Sequence, residues 1–256
     1  MADEYVLRDD DHRRVVRVGD TVRRPVHPWT PAVHALLRYL EEAGFPYSPR
    51  VRGMDDEGRE ILTYLDGASG PAGWAGVVDD RGLIAFARLL RAYHDAVVGF
   101  RLPEGLSWCT GENGPSDGEV ICHGDFGPWN VVWRGADPVG ILDWDYARPA
   151  ERLHDIAYAL EYVAPFRDDV ECLRWLSYPQ PPDRRGRMEL FAAAYGLTST
   201  GGLVEAVIDV QERTIEQVRQ LAERGNQPQV HWVAAGHLDD LTRRVVWSRA
   251  HRHLFV

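Results

Sequence analysis

Residues 121–133 read ICHGDFGPWNVVW, and the reading of this stretch decides the fold. Apolar, strand-like residues stop at His123, and a second apolar run begins at Val131. The turn between them needs little more than Gly127 and Pro128. It has no need of an acid at Asp125 followed five positions later by an amide at Asn130. Alone, Asp125 reads as a turn aspartate bonding its own backbone. Beside Asn130 it asks for a chemical explanation.

A third apolar run supplies more of it. GILDWD, residues 140–145, is a short strand ending in Asp143. The runs EVICHGD, NVVW and GILDWD then put an acid at the end of one strand, an amide at the start of the next and an acid at the end of the third. Short strands bring such ends together at one edge, so Asp125, Asn130 and Asp143 are expected to share a cleft. Carboxylate and amide oxygens are hard donors suited to Mg²⁺, which keeps waters and binds substrate phosphates. A carboxylate beside them is free to take a proton from a hydroxyl. One base and two cation holders are the working parts of phosphoryl transfer.

Composition sets the bounds. The 256 residues are 45% hydrophobic and 27% charged, which suits a globular protein with a substantial core. The formal charge of −10 argues against nucleic-acid binding and is compatible with a cationic substrate. No apolar run approaches membrane-spanning length, and the N-terminus is too polar for a secretory signal. Cys109, Cys122 and Cys172 form no C-x-x-C pair, which fits a reducing, cytoplasmic setting without zinc. All 29 basic residues are arginine, so lysine Schiff-base chemistry is excluded.

Along the chain, YVLRD, RRVVRVG and TVRRPV read as strands, and TPAVHALLRYLEEAG as a helix with Thr30 as cap, Pro31 at its first position and Gly44 as its stop. PRVRGMDDEGREILTYLDG reads as a hairpin. The small residues of GASGPAGWAG look like a flexible connector. After it come a strongly apolar helix at residues 79–100 and a largely helical remainder, with Leu153, Ile156, Ala157 and Leu160 on one face and Leu203, Val207, Val210, Thr214, Val218 and Leu221 on another. The expected fold class is α+β: a small β-rich N-terminal lobe, residues 1–67, and a larger, mainly helical C-terminal lobe, residues 68–256.

HGDFGPWN with ILDWD resembles the aminoglycoside phosphotransferase family, which has the protein-kinase-like fold. Its catalytic loop keeps an acid five residues before an amide. The resemblance is strong from Val120 to Leu160 and rests on element order elsewhere. It implies Asp125 as the base that takes the acceptor's proton, Asn130 and Asp143 as Mg²⁺ ligands, His123 as a brace of the loop, and Asp155 as the helical aspartate that ties the loop down. Asp145 either touches the metal through water or faces solvent. The implied cofactors are Mg²⁺ and ATP or GTP. The implied partner is a small hydroxyl-bearing molecule, an aminoglycoside or another alcohol. A subgroup concerned with peptide-antibiotic immunity, the trifolitoxin type, is similar in the same two segments.

The N-terminal lobe departs from that pattern. LRDDDHRRVV stands where a glycine-rich loop should cover the phosphates, and Asp9, Asp10 and Asp11 would repel them. With no lysine, strand alternation makes Arg24 the phosphate-facing stand-in and Arg23 its solvent-facing neighbour. The helix offers Val33 and His34 where the lysine's partner acid is expected. Thr63, Tyr64 and Leu65 match the segment that holds the base of the nucleotide. Two functions follow: an active small-molecule kinase, or a catalytically weak relative that confers immunity by binding. A protein kinase is the least favoured, because no D-F-G and A-P-E pair bounds an activation segment.

Overall fold

The computed structural model describes residues 4–10, 13–112 and 114–256 of the chain; Asp11, one of the three acids expected to repel phosphate, lies outside them. Strands β1 (Glu4–Asp10), β2 (Arg13–Val18), β3 (Thr21–Arg24), β4 (Val51–Met54) and β5 (Glu60–Thr63) form an antiparallel sheet in the order β1-β2-β3-β5-β4. Its single crossover carries helix α1 (Thr30–Glu42), whose Val33, Leu36, Leu37 and Leu40 are buried as their spacing requires. Thr30 is itself helical, and its hydroxyl accepts from the His27 amide, so the cap position falls one residue earlier than expected.

The small-residue connector is not slack. Residues 70–72 form a 3₁₀ turn and α2 (Gly73–Gly76) follows it, packed on the ICHGDFGPWNVVW segment. A Cβ at Gly73 would stand 2.1 Å from the Pro128 carbonyl oxygen, so the small side chain is required for close approach rather than for flexibility.

Helix α3 (Asp80–Ala96) is capped by the Asp79 carboxylate, which accepts from the Gly82 amide at 2.7 Å. It runs through the core, with Leu83, Phe86, Leu90 and Tyr93 buried. The three apolar runs around the site do not form one sheet. They make two ribbons, β6 (Val120–Cys122) with β9 (Arg148–Ala150), and β7 (Val131–Arg134) with β8 (Asp137–Ile141). The rest is helical: α4 (Leu153–Val163), α5 (Asp169–Trp175), α6 (Arg184–Tyr195), α7 (Leu203–Glu223), α8 (Gln229–Ala234) and α9 (His237–Ala250). Leu153 departs from its expected face and is exposed, whereas Ile156, Ala157 and Leu160 are buried. No helix among the described residues is long and apolar enough to cross a membrane.

One apolar cluster joins Leu36, Leu37 and Leu40 of α1 to Phe86 and Leu90 of α3, Ile121 of β6 and Leu160 of α4. Each such side chain contributes roughly 1.5–3 kcal/mol on burial. The sheet and the helical part are therefore docked through a shared core. The Ile141 amide adds a 2.7 Å hydrogen bond to the Tyr47 carbonyl.

Candidate active site

Strand β6 ends at Cys122 and delivers the loop His123–Asn130. Gly124 has φ +78, and a Cβ there would stand 2.1 Å from the Tyr146 carbonyl oxygen, so conformation and contact both demand glycine. The loop is held from below by Asp155 of α4. Its carboxylate accepts from the His123 amide at 2.6 Å and the Gly124 amide at 2.9 Å. His94 of α3 lies 3.1 Å from the same carboxylate, and its other ring nitrogen meets the Tyr195 hydroxyl at 2.7 Å. Burial opposes ionisation of Asp155, but the hydrogen bond and charge of His94 outweigh it and hold the carboxyl well below the usual range. His94, Cys122 and Asp155 have metal-like spacing, within 4.8 Å. Every one of their donor atoms already has a hydrogen-bond partner, so the cluster is a structural tie.

His123 is fully buried and braces the loop. Its Nε2 bonds the Leu142 carbonyl at 2.9 Å and its Nδ1 accepts from the Asp125 amide. Leu142 in turn donates its amide to the Asn130 carbonyl at 2.7 Å. One side-chain and one backbone bridge thus set the Asp125–Asn130 loop beside Asp143, without direct pairing of β6 and β7.

The side chains converge. Both N–H groups of the Asn130 amide go to Asp125, one to its backbone oxygen at 2.9 Å and one to Oδ2 at 2.8 Å. That leaves the amide oxygen for a cation. Tyr158 of α4 donates its hydroxyl to Asp125 Oδ1 at 2.5 Å. Burial pushes the Asp125 carboxyl up to about 7; the Tyr158 and Asn130 hydrogen bonds resist this, and the nearby charge of Asp143 adds to it. A carboxyl near neutrality is suited to accepting a proton. Tyr158 and its neighbours Tyr162, Trp129 and Trp74 form a half-buried aromatic wall, with Trp129 and Tyr162 edge to face at 4.6 Å and Trp74 5.3 Å from Trp129. The sequence marks Trp129; Tyr158 is detectable only as a polar tip one helical turn beyond Asp155.

Asp143 follows β8 in the left-handed region, φ 58 and ψ 68, which aspartate adopts more readily than most residues. Around it the expectation for the N-terminal sheet is met in part and corrected in part. Arg24 is buried and faces the site: its Nη2 lies 2.9 Å from Asp145 and its Nη1 3.7 Å from Asp143. Arg23 turns away to Asp55 at 3.7 Å. Asp145 does not face solvent. It is 8% exposed and takes bonds from Arg24, Arg13 and the Trp29 indole. Burial works against its ionisation, yet Arg24 and Arg13 hold the carboxyl down at about 2.

The missing partner acid comes from a strand rather than the helix. Glu60 stands opposite Arg24 in the β3–β5 register, is fully buried, and binds the Arg24 Nε and, at 2.8 Å, His34 Nε2 of α1. The helix position read as lacking its acid therefore contributes a histidine to the same knot. Arg13, at the start of β2, is the second residue beyond the reach of the motif. It donates to Asp143 Oδ2 at 3.0 Å and Asp145 Oδ2 at 3.1 Å.

Of the three residues matched to the base-holding segment, Thr63 exchanges hydrogen bonds with Arg50, and the Tyr64 amide goes to the Asp20 carbonyl under an Arg17 guanidinium 3.9 Å from the Tyr64 ring. Among the described residues, the Leu65 amide alone of the three has no backbone partner. Glu189 and Glu205, at exposed helix positions, pair with Arg185 and Arg252. Near the C-terminus, His251 stacks on Trp247 at 4.4 Å.

Comparison with known proteins extends this. Over 98% of this chain and 97% of the other, the protein is 32% identical to the trifolitoxin immunity protein of Rhizobium leguminosarum bv. trifolii. Residues 101–190 match the phosphotransferase enzyme family. The chain belongs to that family. This phosphotransferase-family chain also shares the kinase-like fold of the GDP complex of aminoglycoside 2′-phosphotransferase-IIIa, with a TM-score of 0.62 and 13% identity over 98% of this chain and 93% of that one. An amicoumacin kinase bound to AMP-PNP and Ca²⁺ gives 0.62 and 12%, covering 97% and 88%. A choline/ethanolamine kinase family protein from Mesorhizobium loti gives 0.58 and 15%, covering 97% and 92%. The hard oxygens of Asn130 and Asp143 suit Mg²⁺, and the Arg13 guanidinium on Asp143 is a positive charge standing in for a cation.

Proposed function

We propose that the protein transfers the terminal phosphoryl group of ATP or GTP, with Mg²⁺, to a hydroxyl of a small molecule. The observation that carries the reading is Asp125, half-buried between Asn130 and Tyr158 and within the field of Asp143. Asp125 accepts the acceptor's hydroxyl proton as that oxygen bonds to phosphorus and the bond to the nucleotide's bridging oxygen breaks. Asn130 and Asp143 hold Mg²⁺, which when bound neutralises charge on the phosphates. Asp155 and His123 fix the loop. Arg24 binds phosphate, and the Leu65 amide contacts the base of the nucleotide. The acceptor lies against the Trp74, Trp129, Tyr158 and Tyr162 wall, which favours a flat or cationic molecule through ring-face contact.

The fit of this chain to a kinase role is tested by incubating it with Mg²⁺ and γ-labelled ATP or GTP and panels of aminoglycosides, amino alcohols and modified peptides, then following label transfer and gain of one phosphoryl unit by mass spectrometry. Transfer that disappears in Asp125→Asn supports the proposal; no transfer from either nucleotide to any panel contradicts it.

A second reading has one observation in its favour: Arg13 and Arg24 already neutralise Asp143 and Asp145. On that reading the protein binds a toxin without modifying it. Immunity that persists in cells carrying Asp125→Asn supports binding, and immunity lost with that change supports transfer.

A further inference from the structure

Two guanidinium groups from neighbouring strands close on the acid pair, and their positions are not equivalent. Arg24 is anchored from behind by Glu60, which His34 secures in turn, so its guanidinium is fixed in the sheet. Among the described residues, Arg13 has no such anchor. Its guanidinium bonds are to Asp143 and Asp145, and its side chain is 17% exposed, against 8% for Arg24. Arg13 begins β2 directly across from Asp10, at the end of the hairpin where a kinase-like fold would place glycines over the phosphates. The chain has neither those glycines nor a lysine.

The charges then constrain what happens when nucleotide arrives. Asp143 and Asp145 carry two negative charges, and Arg13 and Arg24 bring two positive ones within 3.1 Å of them. A divalent cation entering alone meets a site already balanced and a guanidinium on its ligand. A magnesium nucleotide brings its own anion, and a fork of N–H donors freed from Asp143 has phosphate oxygens to bind.

We propose that Arg13 is the mobile phosphate clamp of this chain: without nucleotide it occupies Asp143 and Asp145, and with nucleotide it transfers its hydrogen bonds to the phosphates. This rests on the phosphotransferase reading above. The consequence is an ordered site. The acids are released to metal only when phosphate is there to take the arginine, so metal binds well with nucleotide and poorly without it. A glycine-rich loop, which covers phosphate with backbone N–H groups, has no such coupling.

The test separates the two ligands. Mn²⁺ binding without nucleotide is measured by electron paramagnetic resonance, and Mg²⁺ with AMP-PNP or GMP-PNP by calorimetry. The proteins are the wild type, Arg13→Ala, Arg13→Lys and Arg14→Ala, whose side chain is exposed on the other face of the strand. Arg13→Ala should bind Mn²⁺ alone about tenfold more tightly and the magnesium nucleotide about tenfold more weakly, opposite shifts that a loss of folding cannot produce. Arg13→Lys should fall between, and Arg14→Ala should match the wild type. An Arg13→Ala protein that binds both ligands as the wild type does, or loses affinity for Mn²⁺ alone, overturns the clamp and leaves the kinase reading standing. A wild type that binds no magnesium nucleotide overturns the kinase reading itself.

Discussion

The loop from His123 to Asn130 and the sheet from Glu4 to Thr63 flank the Leu142–Asp145 segment, and they hold their charged groups in different ways. The loop uses side-chain bonds to backbone groups: Asp155 to two amides, His123 to the Leu142 carbonyl, Asn130 to the Asp125 carbonyl. On the proposed reaction its geometry leaves little freedom in residue type, because a proton acceptor and oxygen donors would have to sit at fixed places. The sheet uses long side chains in a charge network, Arg24–Glu60–His34 with Arg13 on the acids. What that network supplies is positive charge near phosphate, which several residue types at several positions can provide. Chemistry fixes the first region and electrostatics only bounds the second.

The comparison breaks most sharply at the loop. Asp125→Asn should lower turnover by on the order of 10³-fold while nucleotide affinity changes less than about threefold, since general-base catalysis contributes 10²–10⁴. Single-turnover rates and calorimetry on the same protein check it. A matching loss in both would move Asp125 out of its assigned role.

The sheet should respond in stability as well as in binding. Glu60→Ala leaves the Arg24 Nε and His34 Nε2 without their acceptor, Asp145 still pairing the Arg24 Nη atoms, and should cost about 3 kcal/mol in urea unfolding, the low end for breaking a buried pair. Glu60→Gln, which keeps a hydrogen-bond acceptor, should cost less. If Glu60→Ala unfolds like the wild type, the network is not what holds Arg24. Within the same sheet, Arg24→Ala should weaken nucleotide binding about tenfold more than Arg23→Ala, because only Arg24 faces Asp145. The reverse order would place the strand one residue out of register.

The difference between the regions also explains what was legible beforehand. Asp125, Asn130 and Asp143 were legible as a group because an acid and an amide five apart recur with a second acid at neighbouring strand ends, and Asp155 only through the family resemblance; the structure ties Asn130 to Asp125 and Asp155 to the loop's amides. Glu60 was not legible, since it reaches Arg24 through strand pairing across 36 positions of chain, and nothing local marks it. Arg13 was hidden among 29 arginines. Asp145 stayed open between metal and solvent until the sheet's guanidinium groups were placed. The connector at residues 67–76 read as flexible because the same small residues serve a slack linker and a tight contact. Helix α5 went unpredicted: its Val170, Leu173 and Trp175 are exposed, so no apolar face announces it.

The smallest effect contrasts a histidine without a partner with the paired ones. Burial, with the charge of Arg148, lowers His154 to about 4, and its Nδ1 has no hydrogen-bond partner. The unfolded chain, with an ordinary histidine near 6.5, takes up the proton first as pH falls. Stability should therefore drop below about pH 6.5 and level off beneath pH 4, with about 1 kcal/mol lost between pH 7 and pH 5.5. Urea midpoints across that range check it, and His154→Gln should flatten that part of the slope.

The account stands most directly on whether the two regions together make a metal-nucleotide site. Calorimetric titration of magnesium AMP-PNP or GMP-PNP into the wild type and into Asp143→Asn tests that without knowledge of the acceptor. Saturable binding in the wild type, weakened at least tenfold in the variant, is the predicted result. No binding of either nucleotide to the wild type, or equal binding to both proteins, would contradict it.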